Sequence, residues 1–78
     1  MPVPVFAPLQ LREARDSQEL SRPALARRTG LSPLTIRDYE YGRRFPSAPA
    51  LGRLAAGLGC SVDAFFASPA DGRAPDAA

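Results

Sequence analysis

Between residues 21 and 49 three prolines each follow closely on a serine: Ser21-Arg-Pro23, Ser32-Pro33 and Ser47-Ala-Pro49. Proline has no N–H and clashes with the turn before it, so a helix tolerates it only in the first turn. Serine accepts hydrogen bonds from the backbone N–H groups that follow it, which makes it a natural N-cap. Each pair therefore marks a helix start, at residue 22, at residue 33 and just after Ser47. Gly30, Gly42 and Gly59 mark the matching ends, where a left-handed residue closes a helix. Between these marks the apolar spacing is helical. Leu25 and Ala26 face inward while Arg27 and Arg28 face out; Ile36 and Tyr39 are core; Leu51, Leu54, Ala55 and Leu58 form one stripe.

Two further helices complete the pattern. One spans residues 8–18, opened by Pro8, with Leu11, Ala14 and Gln18 on a face shared with Leu20. The other follows Ser61 as a cap and runs from residue 62 to about 67, with Asp63 near its positive end and Val62, Phe65 and Phe66 as its apolar surface. No segment reads as a strand. The expected class is all-α, a compact bundle of five short helices.

The ends read differently. Residues 1–8, "MPVPVFAP", are expected to form an extended arm, and whether Val5 and Phe6 fold back on the core stays open. Residues 68–78, "SPADGRAPDAA", are expected to form a disordered tail. Residues 9–67 are then one domain, close to the lower size limit for independent folding. Such a domain needs a staple, dimerisation or efficient helix packing. Cys60 is the single cysteine and there is no histidine, so an internal disulfide and the usual zinc sites are excluded. Cys60 reads as a packing residue, the alternative being a redox-sensing thiol that has no basic residue beside it in sequence to activate it. No metal or cofactor is expected.

Net charge is only +2, but it is unevenly spread. Seven arginines (22, 27, 28, 37, 43, 44 and 53) stand against Asp38 and Glu40 in the middle of the chain. The flanking segments are slightly acidic. A basic middle implies an anionic partner; the alternative is a solvated, arginine-rich surface favoured by GC-rich coding DNA. No lysine, histidine, nucleophile elbow or glycine-rich phosphate loop is present, so an enzyme is not expected. No apolar run is long enough for a membrane span and no signal-peptide pattern opens the chain, so a cytoplasmic protein is expected.

Two helices joined by a few residues containing a glycine make the helix-turn-helix geometry. "SQEL" at 17–20 imitates its start, but Ser21 and Ala26 then stand where Leu and Gly are needed; from Ser21, Leu25 and Gly30 fall into place. In that register residues 11–66 resemble the Cro/C1-type (Xre-like) helix-turn-helix family. The matching pieces are S-x-x-x-L-A-x-x-x-G-L-S at 21–32, T-I-x-x-Y-E-x-G at 35–42, P-S at 46–47 and L-x-x-L-A-x-x-L-G-x-S-x-D-x-x-F at 51–66. They occur in order and without gaps.

The resemblance implies a lambda-repressor-like fold whose third helix, residues 33–41, lies in the DNA major groove. Carried over by position, it puts Pro33, Leu34, Thr35, Arg37 and Asp38 at base edges. Pro33 can donate nothing and Leu34 suits a thymine methyl. Asp38 could accept from cytosine, and Arg37 is the strongest reader. Phosphates would be met by Arg22, Ser32, Tyr41, Arg43 and Arg44, and Arg15 would pair structurally with Glu40. Arg27, Arg28 and Arg53 are expected to be solvated or paired within the chain.

Phe65 and Phe66 cannot easily both be buried in so small a domain, which suggests a surface for a homodimer. The expected function is a sequence-specific regulator of transcription, a repressor bound to double-stranded DNA. The alternative is a protein-interaction module, an antitoxin or adaptor, in which the same fold binds a protein partner and DNA is secondary.

Overall fold

The computed structural model of the protein describes residues 3–68. The expected tail lies outside the described residues from position 69 on, as do Met1 and Pro2 of the expected arm. The elements run β1 (Val5–Phe6), α1 (Pro8–Ser17), α2 (Arg22–Thr29), α3 (Pro33–Glu40), α4 (Ala48–Leu58), a 3-10 turn (Val62–Phe65) and β2 (Phe66–Ala67).

Three helix starts share one construction. The Oγ of Ser21, Ser32 and Ser47 accepts from the backbone N–H of Ala24, Thr35 and Ala50, at 3.1, 3.0 and 3.3 Å. A proline follows within the first turn each time. Gly30 and Gly59 close α2 and α4 at φ 77° and 68°, a region that costs any side chain with a Cβ.

The core draws one fully buried side chain from each of five elements: Leu11 from α1, Leu25 from α2, Ile36 from α3, Leu54 from α4 and Phe65 from the 3-10 turn. Burying each contributes about 1.5–3 kcal/mol. Ala26, Tyr39, Ala50, Ala55 and Leu58 fill the space between them. The helices α2 and α4 approach closely at Gly57, where a Cβ would come within 2.8 Å of the Thr29 side chain.

The expectation of five α-helices and no strand is corrected at the chain's seam. Among the described residues four α-helices form; the fifth segment makes only a 3-10 turn before Phe66 adopts extended backbone at φ −113°, ψ 147°. Phe66–Ala67 then pairs antiparallel with Val5–Phe6, in the register Val5↔Ala67 and Phe6↔Phe66. The Ala7 N–H donates to Phe65 O at 2.8 Å and extends the ladder. The physical reason is tertiary: an extended Phe6 meets Phe66 from the other end of the chain edge to face, ring centroids 6.3 Å apart, while Pro4 biases Val3 before it away from helix. Ser61 stands at the head of the turn without a capping bond from its side chain, contrary to its expected role.

Candidate nucleic-acid interface

The helix α3 is anchored from one side only. Ile36, Tyr39 and Glu40 are buried against the bundle, at the i, i+3, i+4 spacing of a single helix face. That leaves Pro33 and Leu34 exposed at its start and Tyr41 exposed just past its end. Leu34 keeps 56% of its surface open. Thr35, Arg37 and Asp38 are half-buried along the flank.

The first turn of α3 is tied by its own hydroxyls. Ser32 Oγ accepts from the Thr35 N–H and donates to Thr35 Oγ1 at 2.9 Å, so this hydroxyl is engaged within the turn. Arg44 Nη1 donates to the same Thr35 oxygen at 3.5 Å. Thr35 accepts both bonds, which leaves its own O–H available as a donor. Arg37 Nη2 lies 3.8 Å from Asp38 Oδ1, and the buried Arg37 Nε has no hydrogen-bond partner among the described residues. Asp38 is thus the less open of the pair, with 19% of its side chain accessible against 41% for Arg37.

Behind α3 lies a buried ionic knot. Arg15 Nε and Nη2 donate to Glu40 Oε2 and Oε1 at 2.6 and 3.0 Å, and Arg15 Nη1 donates to Leu20 O. The Glu40 side chain is fully enclosed. Its hydrogen bond pushes the Arg15 pKa above the usual arginine value, with burial acting in the opposite direction. Sequence reasoning supplied one partner for Glu40, but the structure adds a second: Arg22 Nε donates to Glu40 Oε1 at 3.0 Å. The signal was weak because Arg22 and Glu40 sit on different helices and meet only through the crossing of α2 and α3.

At the far end of α3 the charge is positive. Arg22 opens α2, where a helix terminus already favours anions. Its guanidinium lies 5.4 Å from the centroid of the Tyr41 ring, and that of Arg43 lies 5.6 Å from the same ring. The Arg43 and Arg44 N–H groups both donate to Asp38 O, which folds the loop back toward α3. The structure therefore brings Arg22, Tyr41 and Arg43 together, and Arg44 with Ser32 and Thr35. Arg27 is exposed. Arg28 donates to Gln18 Oε1 and Gly57 O.

Phe65 and Phe66 part company. Phe65 is fully buried, so it offers no surface to a second copy, and this expectation is corrected. Phe66 is half-buried against Phe6. The exposed phenylalanine among the described residues is Phe45, 72% exposed and edge-on to Phe6 at 6.3 Å, which sequence reasoning missed. Pro4, Val5, Phe6, Phe45 and Phe66 line an open apolar groove of about 480 Å³. Cys60 is half-buried, and burial pushes its thiol pKa up, away from the reactive thiolate. Among the described residues no cluster of metal-ligating side chains occurs and no helix is long and apolar enough to cross a membrane.

A helix-turn-helix domain family matches residues 9–65. No curated protein matches the sequence. Among solved structures, the restriction-modification controller protein C.AhdI from Aeromonas hydrophila is 30% identical with a TM-score of 0.73, covering 76% of this chain and 89% of that one. The P22 c2 repressor, solved with a synthetic operator, is 25% identical with a TM-score of 0.71 over 76% of this chain and 89% of its own. Hydroxypropylphosphonic acid epoxidase from S. wedmorenis is 30% identical with a TM-score of 0.71 over 77% of this chain, but only 32% of the epoxidase is covered.

Proposed function

This chain belongs to the Cro/C1-type helix-turn-helix family, and on that premise we propose that it is a cytoplasmic, sequence-specific DNA-binding regulator of transcription. It acts as a repressor and lays α3 in the major groove of its operator. The observation that carries this reading is the outward face of α3, an exposed Leu34 leading to Arg37 and Asp38, bounded by Arg22, Arg43 and Arg44. Leu34 packs on a thymine methyl and Arg37 donates to guanine. Pro33 sets the close approach of the helix start, and Thr35 has a hydroxyl proton to give. Asp38 orients Arg37 and accepts from cytosine. Arg22, Tyr41, Arg43 and Arg44 hold phosphates, with Ser32 at the helix start beside them.

Two copies bind together as a homodimer, one half-site each, about one DNA turn apart. Nothing in this role asks for catalysis, a cofactor or a metal. The test is selection from random duplex DNA by the purified protein at near-physiological salt. A two-fold motif is expected, with Leu34→Ala relaxing preference at one base pair of each half. Recovery of DNA without a motif, held only at low salt, would remove base reading by α3.

The second reading, an antitoxin-like or adaptor module with a protein partner, is favoured by the apolar groove around Phe45 and Phe66. Phe45→Ser separates the two. An adaptor loses its partner and keeps its affinity for DNA, whereas a DNA-bound dimer loses cooperative binding to the full two-fold site.

A further inference from the structure

The carboxylate of Glu40 is held by more cation than it needs. Arg15 already grips both of its oxygens, the paired geometry that fits a carboxylate best. Arg22 adds a third bond through Nε alone. Among the described residues, neither Nη group of Arg22 makes a hydrogen bond to protein. The same is true of the Arg43 guanidinium and the Tyr41 hydroxyl. Yet Arg22 and Arg43 are gathered on one aromatic ring, 5.4 and 5.6 Å from its centroid. Two cations share that ring, and the nearby carboxylate is already matched by Arg15. The cluster is short of negative charge, and Tyr41 and Arg43 are exposed where an anion can reach them.

We infer that Glu40 is a positioning residue for DNA binding: by holding Nε of Arg22 it turns both Nη groups toward Arg43 and Tyr41, so that the three side chains close on a single backbone phosphate. The inference rests on the DNA-binding reading above. A phosphodiester suits the cluster because one tetrahedral anion accepts several N–H bonds at once and matches the guanidinium fork. It also gives arginine, and not lysine, a reason to stand at position 22. A lysine ammonium is a point charge on a flexible stem and cannot reach Glu40 and a phosphate together through fixed, separate nitrogens.

The experiment uses the full chain and the duplex recovered by selection, with single phosphates replaced in turn by uncharged methylphosphonate. In the wild type, one replacement in each half-site should weaken binding about 10-fold through loss of this clamp, on the scale of a charged hydrogen-bonded contact. Arg22→Gln and Arg22→Lys should both become indifferent to that replacement while keeping their sensitivity at the other phosphates. Glu40→Gln supplies a test of sign. Removing a negative charge near DNA should by itself tighten binding and steepen its salt dependence. Loss of positioning should instead weaken binding and abolish the response at that one phosphate, in a variant that still unfolds cooperatively.

If Glu40→Gln does not fold, Arg22→Lys decides. A lysine variant with the wild-type pattern of phosphate sensitivity makes Arg22 a simple point charge and overturns the role of Glu40. A wild type that selects a motif but shows no phosphate whose effect depends on Arg22 overturns the clamp alone. A wild type with no motif and no sensitive phosphate overturns the clamp together with the DNA-binding reading.

Discussion

The helices α2, α3 and α4 and the seam between the two ends of the chain are built by different physics. Each of the three helices carries its own start in sequence, a serine whose Oγ caps the first turn and a proline just inside it. The seam has nothing of the kind. Its strands are two residues each, too short for an alternating pattern, and Ser61 makes no capping bond. What holds the seam is pairing across more than fifty residues of chain, the Phe6–Phe66 contact and the burial of Phe65. Local chemistry specifies the helices that present the interface. Tertiary contact specifies the surface that backs it.

The largest effect should come from the seam. Phe65→Ala removes a fully buried ring and is expected to cost about 3–5 kcal/mol. A domain of this size holds only about 5 kcal/mol in total. Urea titration followed by circular dichroism should show a variant largely unfolded near 37 °C. A loss under 1 kcal/mol would mean that the seam is dispensable and the helices form the core alone.

Next comes the contact of α2 with α4. Gly57→Ala would gain about 1 kcal/mol of helix propensity in an otherwise regular helix. Its Cβ, however, meets Thr29 Cγ2 at 2.8 Å and Arg28 Cβ at 3.5 Å. Overpacking of this kind costs about 1–3 kcal/mol, so a net loss is expected in the same titration. A stabilised variant would show that α2 and α4 can separate without consequence.

Much of the helical scaffold was legible because its signals lie within four residues of where they act. Ser32 and Pro33 are adjacent in sequence and in function. The outward position of Leu34 and the inward positions of Ile36 and Tyr39 follow from helical spacing alone. The rest depended on where separate elements meet. Whether Phe65 or Phe66 turns inward depends on the backbone changing from a 3-10 turn to a strand between them, and that change is set by a partner at the other end of the chain. The exposure of Phe45 follows from the path of a loop with no periodicity to read. The second arginine on Glu40 required the crossing of α2 and α3, which no local spacing encodes. Site residues placed by helix face could be read from spacing; those placed by a meeting of elements could not, save Arg15 with Glu40, which the family resemblance supplied.

A matched pair of substitutions sharpens the contrast at lower amplitude. Ser32→Ala removes an N-cap bond and a hydroxyl contact to Thr35, for an expected loss of about 1 kcal/mol. Ser61→Ala occupies the equivalent position before the 3-10 turn but removes no capping bond from a side chain, so its effect should stay within about 0.5 kcal/mol. Thermal unfolding of the two variants side by side measures the difference. Equal losses would mean that the cap geometry of α3 does not decide its stability.

The smallest effect concerns a turn that lacks the punctuation found elsewhere. Helices α2 and α4 end on glycine, but the chain leaves α1 through Glu19 at φ 56°, a left-handed conformation in a residue with a Cβ. Its N–H donates to Asp16 O at 2.9 Å, so the backbone bond of the turn does not depend on the side chain. Left-handed backbone costs an ordinary residue about 1–2 kcal/mol. Glycine removes that strain but gives back part of the gain through the greater freedom of the unfolded chain. Glu19→Gly should therefore raise stability slightly, by about 0.5 kcal/mol, seen as a rise of a few degrees in Tm. The side chain is exposed and makes no ion pair among the described residues, so the change should leave DNA affinity at fixed salt little altered. A destabilised variant would show that the turn is set by more than local backbone preference, which would place it with the seam and not with the capped helices.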